Sequence, residues 1–481
     1  MFNSYTFAAF FAVVFVFYVA LRKRHRWQNR MLLAASYLFY GAWDWRFLFL
    51  LLGLTVLQYS CGIGIHSSKE TRQRRLFLIL SVLGSLSVLG FFKYFNFFST
   101  SLQSLLGQFG ITAQPDLLHI ALPVGLSFYT FQSMTYSIAI FRGRLKPEAR
   151  FLDLALFIAF FPLLVAGPIE RAERLLPQIL SPRRLELDKF YQGCYSIFFG
   201  LFQKVVIADN LARVVDRVFG SAAPYNGALV LVASFAFTIQ ILMDFAGYSN
   251  IARGICRCMG FDVMVNFNMP YFATNPREFW QRWHISLSSW LRDYLYIPLG
   301  GNRNGRLAEY RNLAITMVLG GLWHGAAWTF VVWGAYHGAL LIIYRLLEPV
   351  FKAMPAPKEG IGERIWFAIR LTFFFSLVSL GWLIFRAESM HQVFEMLRAV
   401  PNWSTWSASL SSYADALNSL IWIAPFVFIA AAFELLQYAK NDQMFLLRQH
   451  WAVKAVVYCV MLYLFLNLGV WGGKAFIYVR F

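Results

Sequence analysis

The chain has 481 residues, of which 59% are hydrophobic, 19% aromatic and only 14% charged, whereas charged residues make up about 25% of a soluble globular protein. Because a water-soluble fold cannot bury this much apolar surface, the composition indicates a polytopic membrane protein and excludes disordered, fibrous and disulfide-rich secreted classes. The net charge of +19 does not indicate nucleic-acid binding, since the basic residues fall in short runs between long uncharged stretches.

The first predicted span covers residues 1–21 and carries no charge. Five basic residues follow it within Arg22–Arg30, and cytoplasmic loops of membrane proteins are enriched in Lys and Arg. A cleaved signal peptide carries its positive charges before the apolar stretch. We therefore expect an uncleaved first helix whose N-terminus lies outside and whose basic run lies in the cytoplasm.

Long runs with few or no charged residues recur along the whole chain, and the longest of them is interrupted by Asp44 and Arg46. Since a bilayer core of about 30 Å requires about 20 apolar residues as helix, these runs predict roughly ten to twelve spans in one integral-membrane domain over residues 1–481. The runs lie near residues 1–21, 31–65, 76–98, 117–141, 154–169, 190–203, 218–243, 312–344, 371–385, 416–433 and 455–473.

The run at residues 154–169 conflicts with simple alternation of the loops. It is short, and a full span there would place the mixed-charge segment 170–189 outside. Irregular backbone at membrane depth is tolerated only where it is buried in protein or lines a cavity. A re-entrant or tilted helix would resolve the conflict.

The segment 244–311 mixes charged and aromatic side chains and fits neither a span nor a free loop. Amphipathic helices at the membrane interface or folded into the protein fit it best. Trp283 and Trp290 are seven residues apart and would share one helical face, and His284 and Ser288 would share another. From this spacing alone, an aromatic belt with snorkelling arginines is a simpler explanation than catalysis.

The run 312–344 has no charged residue, and one straight helix of this length would measure about 50 Å. Gly320, Gly321 and Gly325 lie near its centre, which predicts a tilted or broken helix with a close-packed middle. His324 would lie roughly 20 Å from the start of the run, in the middle third of the membrane.

A titratable side chain at that depth is costly and marks a pathway or a site by default. A structural histidine that forms hydrogen bonds between helices is an equally good interpretation of His324 from its position alone. His337 carries the same two interpretations.

Other motif classes are absent from the sequence. There is no convincing nucleophile elbow, zincin motif, Walker loop or dinucleotide fingerprint. The five cysteines form neither a disulfide framework nor a metal-ligand set, so we expect no metal. The basic, glycine-containing turn at Gly300–Arg306 could receive a phosphate through backbone N–H groups and arginine, although an ordinary cytoplasmic loop has the same composition.

Several segments resemble the membrane-bound O-acyltransferase (MBOAT) family, and within it the bacterial alginate O-acetyltransferase (AlgI) branch. The core motifs lie at about residues 244–345, and the likeness covers nearly the whole chain in order. The segments that carry it are Leu122–Phe131, Ala166–Ile169, Asp244–Ser249, Arg282–Ser288, Trp290–Arg303, Gly320–Ala326 and Phe476–Tyr478.

The resemblance implies an all-α fold in which helices surround a tunnel through the bilayer. It implies that His324, within a Trp-His-Gly motif, and His284, at the family's second polar position, are catalytic. We expect the acyl donor to be bound by residues of the same motifs, namely Trp323, Arg282, Arg292, Asp293 and Arg303. No permanently bound cofactor is implied; acetyl-CoA would be a co-substrate.

The implied activity is transfer of an acetyl group from cytoplasmic acetyl-CoA across the bacterial inner membrane, for O-acetylation of an alginate-like exopolysaccharide. The implied partners are membrane lipids, a periplasmic protein of the SGNH type and the polysaccharide. Two alternatives stay open: D-alanyl or other acyl transfer from a carrier protein to a cell-wall polymer, and a transporter gated by the run 312–344. A transporter often has a second broken helix, and no second copy of this run occurs.

Overall fold

The computed structural model describes residues 2–111, 117, 122–165, 167–353, 359–406 and 410–472, and every regular element within them is helical. The first helices are α1 (Tyr5–Ala20), α2 (His25–Asp44), α3 (Arg46–Ser67), α4 (Thr71–Leu89), α5 (Phe95–Gln108), α6 (Leu126–Phe141), α7 (Phe151–Ala159), α8 (Phe161–Leu164), α9 (Ala172–Leu180), α10 (Leu187–Phe202) and α11 (Asp209–Phe219).

The later helices are α12 (Gly227–Cys258), α13 (Pro276–Arg282), α14 (Ile285–Leu291), α15 (Arg306–His324), α16 (Trp328–Ala353), α17 (Gly360–Arg386), α18 (Met390–Ala399), α19 (Trp403–Trp406), α20 (Leu410–Lys440) and α21 (Trp451–Leu468). In the described part of the chain, π-helical segments lie at Gly90–Tyr94, Gln203–Ala208 and Arg292–Tyr296. Two 3₁₀ turns lie at Pro270–Phe272 and Phe445–Arg448.

These helices form two compact units. The first comprises Met1–Phe198 and Ser249–Met264, and the second comprises Phe199–Tyr248 and Val265–Phe481. Helix α12 supplies residues to both. Both units are built from apolar helices. The expectation of one integral-membrane domain over the whole chain stays a prediction.

Seven helical stretches of the described chain are long and apolar enough to cross a membrane, which confirms an all-α, multi-pass membrane protein. They are Arg46–Ser67, Thr71–Gln108, Gly227–Cys258, Trp328–Ala353, Gly360–Arg386, Ala414–Lys440 and Trp451–Leu468. The apolar runs at 1–21, 117–141, 154–169 and 190–203 form helices of 16 residues or fewer and are not among these seven, so the number of ten to twelve spans stays a prediction.

The apolar surface of these helices accounts for the unusual composition. Helix α21 has one buried residue, Met461, while Val456 and Leu466 on the same helix are about two-thirds exposed. Lipid is the solvent that makes such exposure favourable, since apolar side chains cost nothing against acyl chains.

Helices α7 and α8 form a buried excursion in the first unit. Asn29 donates one hydrogen bond to Asp153 (2.8 Å), in the first turn of α7, and another to the carbonyl of Ile179 (2.9 Å), in α9 after the excursion. Arg183 donates to Asn29 (2.7 Å) and to Gln28 (2.9 Å). The chain therefore enters and leaves this buried segment beside Asn29, and the expectation of a re-entrant or tilted helix stays a prediction.

Candidate active site

His324 is the last residue of α15, and the run 312–344 is broken there as predicted, with α16 beginning at Trp328. The close-packed middle is also confirmed. A Cβ on Gly321 would collide with the backbone oxygen of Phe330 and lie 3.0 Å from the Cα of Gly334. A Cβ on Gly325 would enter the ring of Phe330. Glycine at these positions lets α15 and α16 cross backbone to backbone.

Aromatic rings enclose the His324 side chain, which is only 3% exposed. Its ring centroid lies 5.1 Å from that of Trp323, 5.0 Å from Trp333 and 5.5 Å from Phe385, each in an edge-on arrangement. The histidine is thus held in an apolar box made by three different helices.

His284 lies between α13 and α14 with φ 42° and ψ 53°, in the left-handed region that few side chains adopt. Asn266 fixes this turn: its backbone oxygen accepts from the N–H of Ile285 (2.9 Å), and its side-chain oxygen accepts from the Ser286 hydroxyl (2.9 Å). Backbone conformations of this kind persist where the surroundings over-determine them, often at functional sites.

The His284 ring is fully buried and packs beside the first histidine. Its centroid lies 4.6 Å from Phe245, 6.3 Å from Phe267, 5.7 Å from Trp323 and 6.2 Å from His324. Burial lowers the pKa of His284, which lies outside the seven candidate spans, to about 3. It is therefore a neutral imidazole at physiological pH, with one donor and one acceptor nitrogen.

Indole N–H groups add donors to this region. Trp283, Trp333 and Trp382 are buried, and their indole nitrogens have no hydrogen-bond acceptor among the residues that the structure describes. Trp333 lies 5.6 Å from Trp382, and Trp382 lies 4.7 Å from Trp283. A buried donor left without an acceptor costs about 1–3 kcal/mol, so an oxygen of a bound substrate would be favoured there.

Three sequence interpretations of this segment are wrong. Trp283 and Trp290 do not share a helical face, because α13 ends at Arg282 and α14 begins at Ile285. Both indoles are buried rather than placed in a surface belt. His284 caps α14 instead of facing Ser288 along a helix, and the Ser288 hydroxyl donates to the carbonyl of Trp283. The interpretation of helices folded into the protein is the one confirmed.

The contacts described for the predicted donor-binding arginines are with residues other than His284 and His324. Arg282 forms an ion pair with Glu278 (2.9 Å) and lies over the ring of Tyr438. Arg292 pairs with Asp293 at 2.8 Å, and Arg303 is exposed in its turn. The structure thus unites His284, Trp323 and His324, whereas the binding role of the charged residues stays a prediction.

The sequence did not assign the other residues to the site, although Phe245 lies in the segment Asp244–Ser249 that carries the resemblance. Phe245, Asn266, Trp333 and Phe385 come from distant parts of the chain, and only the fold brings them together. His337 is buried in α16, 4.8 Å from Trp333 and stacked on Phe279, so it is one ring removed from His324. In the described ranges, no group of three or more His, Cys, Asp and Glu side chains could hold a metal ion.

Comparison with known proteins identifies the family. Residues 83–383 match the family model described as MBOAT, membrane-bound O-acyltransferase family. The chain is 42% identical to the probable alginate O-acetylase AlgI of Pseudomonas aeruginosa, over 90% of this chain and 81% of that protein. It is 34% identical to the peptidoglycan O-acetyltransferase of Helicobacter pylori, over 83% and 79% of the two chains.

A more distant relative is the teichoic acid D-alanyltransferase of Bacillus subtilis, 30% identical over 56% of this chain and 69% of that protein. Of the segments that carry the resemblance, Ala166 and Phe476–Tyr478 lie outside the described residues. The other segments include both buried histidines and Gly321 and Gly325, at which α15 packs against α16. The chain belongs to the membrane-bound O-acyltransferase family and is an O-acyltransferase.

Proposed function

We propose that this protein transfers an acetyl group from cytoplasmic acetyl-CoA across the bacterial inner membrane, for O-acetylation of an extracytoplasmic polysaccharide of the alginate type. The observation that carries the proposal is the buried pair His284 and His324, whose rings lie 6.2 Å apart among aromatic side chains. Rings at this separation can both reach one small reacting group. The names of the relatives at 34–42% identity, which refer to O-acetylation, support the choice of acyl group.

His324 acts as the general base in this mechanism. Its imidazole accepts the proton of the acceptor hydroxyl while the hydroxyl oxygen attacks the thioester carbonyl. The new C–O bond forms, the C–S bond breaks, and the proton passes from His324 to the departing thiolate. The products are the acetyl ester and free CoA.

His284 and the neighbouring indoles stabilise the developing oxyanion. Burial keeps His284 neutral by lowering its pKa to about 3, so its N–H can donate without carrying a charge. The indole N–H of Trp333, 5.0 Å from His324 between ring centroids, is a second donor. Fixed donors in a water-excluded site are worth about 3–4 kcal/mol each to a transition state.

The reactants meet through a tunnel between the helices. Acetyl-CoA is too large and too anionic to cross a bilayer, whereas the polysaccharide lies outside. Arg282, Arg292 and Arg303 bind the phosphates of the donor on the cytoplasmic side, since guanidinium groups suit bidentate phosphate contacts. A periplasmic protein of the SGNH type takes the acetyl group on the far side and completes the transfer to the polymer.

Acyl transfer from a carrier protein is the second candidate, and the D-alanyltransferase relative favours it. The two candidates differ in what must bind: a CoA pocket in one case and a protein-docking surface in the other. Binding of CoA and of a holo carrier protein to the purified chain, measured side by side, separates them.

Labelled acetyl-CoA tests the proposal directly. We expect purified protein to move label from acetyl-CoA to an SGNH-type partner or to alginate oligosaccharides. One free thiol should be released for each labelled acetyl group transferred. Peptidoglycan fragments and a D-alanyl carrier protein serve as rival substrates. If no acceptor supports the release of free thiol from acetyl-CoA, the assignment is overturned. Flux of substrate through proteoliposomes without acyl transfer would overturn it as well.

A further inference from the structure

A buried ion cluster lies in the second unit, outside the residues assigned above. The Lys204 ammonium is 2.8 Å from Asp209 Oδ1 and 2.6 Å from Asp244 Oδ1, and all three side chains are 6% exposed or less. The ring of Tyr248 lies 5.8 Å from the same ammonium. Charges buried in this way lose their hydration and persist only with close partners.

Local backbone geometry brings the lysine to the aspartate. Lys204 lies in the π-helical segment Gln203–Ala208, a kind of element often found at functional sites. On α12, Gly247 packs against the chain near Lys204. A Cβ at Gly247 would lie 2.8 Å from the backbone oxygen of Gly200 and 3.3 Å from the backbone nitrogen of Lys204. The absence of a side chain at Gly247 lets Asp244, one turn earlier, reach Lys204.

The next residue along α12 connects the cluster to the active site. Phe245 follows Asp244 directly, and its ring meets His284 edge-on at 4.6 Å. Phe267 braces the same ring at 4.9 Å and stacks on His284 at 6.3 Å. Because His284 lies in a left-handed turn between two short helices, it depends on such neighbours for its orientation.

We propose that Lys204 and Asp244 are positioning residues for acyl transfer: their ion pair fixes α12 so that Phe245 holds the His284 ring toward His324. This inference rests on the proposed function, because it requires His284 to act in the transition state. A small displacement of a reacting group can cost about 10² in rate even when binding is unchanged. Breaking the pair therefore lowers kcat and leaves donor affinity unaltered.

Asp244→Asn tests the pair while Lys204 keeps Asp209 as its partner. We expect kcat to fall about 10- to 100-fold, with KM for the acyl donor within about two-fold of wild type. The matched control is Glu309→Gln. Glu309 pairs with Arg345 at 2.8 Å and its side chain is also buried, although Arg345 is more exposed than Lys204, and Glu309 lies at the opposite end of α15 from His324. We expect Glu309→Gln to lower the melting temperature, because it also breaks an ion pair of a buried carboxylate, but to leave kcat unchanged.

A double-mutant cycle shows whether the effect passes through His284. In a His284→Asn background, Asp244→Asn should lower the residual turnover by less than about two-fold, because residues that act as a unit are non-additive. If Asp244→Asn does not fold, Phe245→Leu takes its place, since it keeps the ion cluster and removes the ring against His284.

The outcomes are distinct. Full additivity with His284→Asn, or equal losses of kcat in Asp244→Asn and Glu309→Gln, would overturn the positioning role while wild-type activity upholds the proposed function. A wild-type protein that transfers no acyl group would overturn both.

Discussion

The imidazole rings of His284 and His324 lie 6.2 Å apart at an angle of 45°, although 40 residues separate them in the chain. One ring stands at the start of α14 and the other at the end of α15. Both helix ends are fixed by features of the backbone: a left-handed turn held by Asn266, and a glycine crossing with α16. The geometry of the pair thus depends on how these helices pack.

The glycine crossing gives a matched pair of substitutions. A Cβ at Gly321 would meet the backbone of Phe330 and of Gly334, whereas a Cβ at Gly320 meets only the end of the flexible Leu291 side chain at 3.0 Å. We expect Gly321→Ala to destabilise the protein by about 1–3 kcal/mol, as overpacking does, and to lower turnover. Gly320→Ala should behave as wild type. Equal melting temperatures for the two variants in detergent would contradict the close crossing.

The arginines of the segment 282–303 are expected to bind donor phosphates. Losing one charge-assisted hydrogen bond costs about 1.5–3 kcal/mol, so Arg292→Gln and Arg303→Gln should each weaken CoA binding about ten-fold or more, with melting temperatures unchanged. Arg282→Gln should also lose some stability, because it breaks the ion pair with Glu278. Arg398→Gln, which removes an exposed arginine paired with Glu395, is the control. Unchanged affinity in all three variants, measured by calorimetry, would remove these residues from donor binding.

Glu170 makes stability depend on pH. Burial raises the pKa of this carboxyl to about 7, against the lowering effects of its hydrogen bond from the Met264 N–H and of Arg174 and Arg171. The folded state therefore keeps a proton that the unfolded state loses near pH 4.5, so the free energy of unfolding falls between about pH 4.5 and pH 7, by roughly 3 kcal/mol.

Glu170→Gln removes this titration. The melting temperature of the wild type should drop more between pH 5 and pH 8 than that of the variant. Identical pH slopes for the two proteins would show that Glu170 is ionised in the folded state throughout this range.

Labelling with a membrane-impermeant thiol reagent tests the orientation of the first helix. In a variant whose two exposed cysteines, Cys194 and Cys459, are replaced by serine, we expect Asn3→Cys to react in intact cells and Arg26→Cys to be protected. Arg26 suits the test because it is exposed, whereas Gln28 in the same basic run is buried and would be protected on either side. The opposite labelling pattern would reverse the topology.

Features encoded by neighbouring residues were predictable from the sequence. The membrane class follows from the composition of the whole chain, and the break at His324 follows from the glycines around it.

Features that depend on distant contacts were not predictable. Helical periodicity placed Trp283 and Trp290 on one face, but α13 ends at Arg282, and the turn that follows is held by hydrogen bonds from Ile285 and Ser286 to Asn266. Lys204 and Asp244 are 40 residues apart, and no local pattern joins them. The bounds of the helices were not predictable either, because an apolar run does not show whether one helix continues through it.

Substitution of His324 tests the central claim most directly. In both His324→Gln and His324→Ala, the turnover of labelled acetyl-CoA should fall by a factor of about 10² to 10⁴, the contribution typical of a general base. CoA affinity and melting temperature should stay near those of the wild type. Glutamine retains a hydrogen bond but cannot take up a proton. A stable, active His324→Gln variant beside an unstable, inactive His324→Ala variant would contradict the account, because that pairing is the signature of a structural histidine.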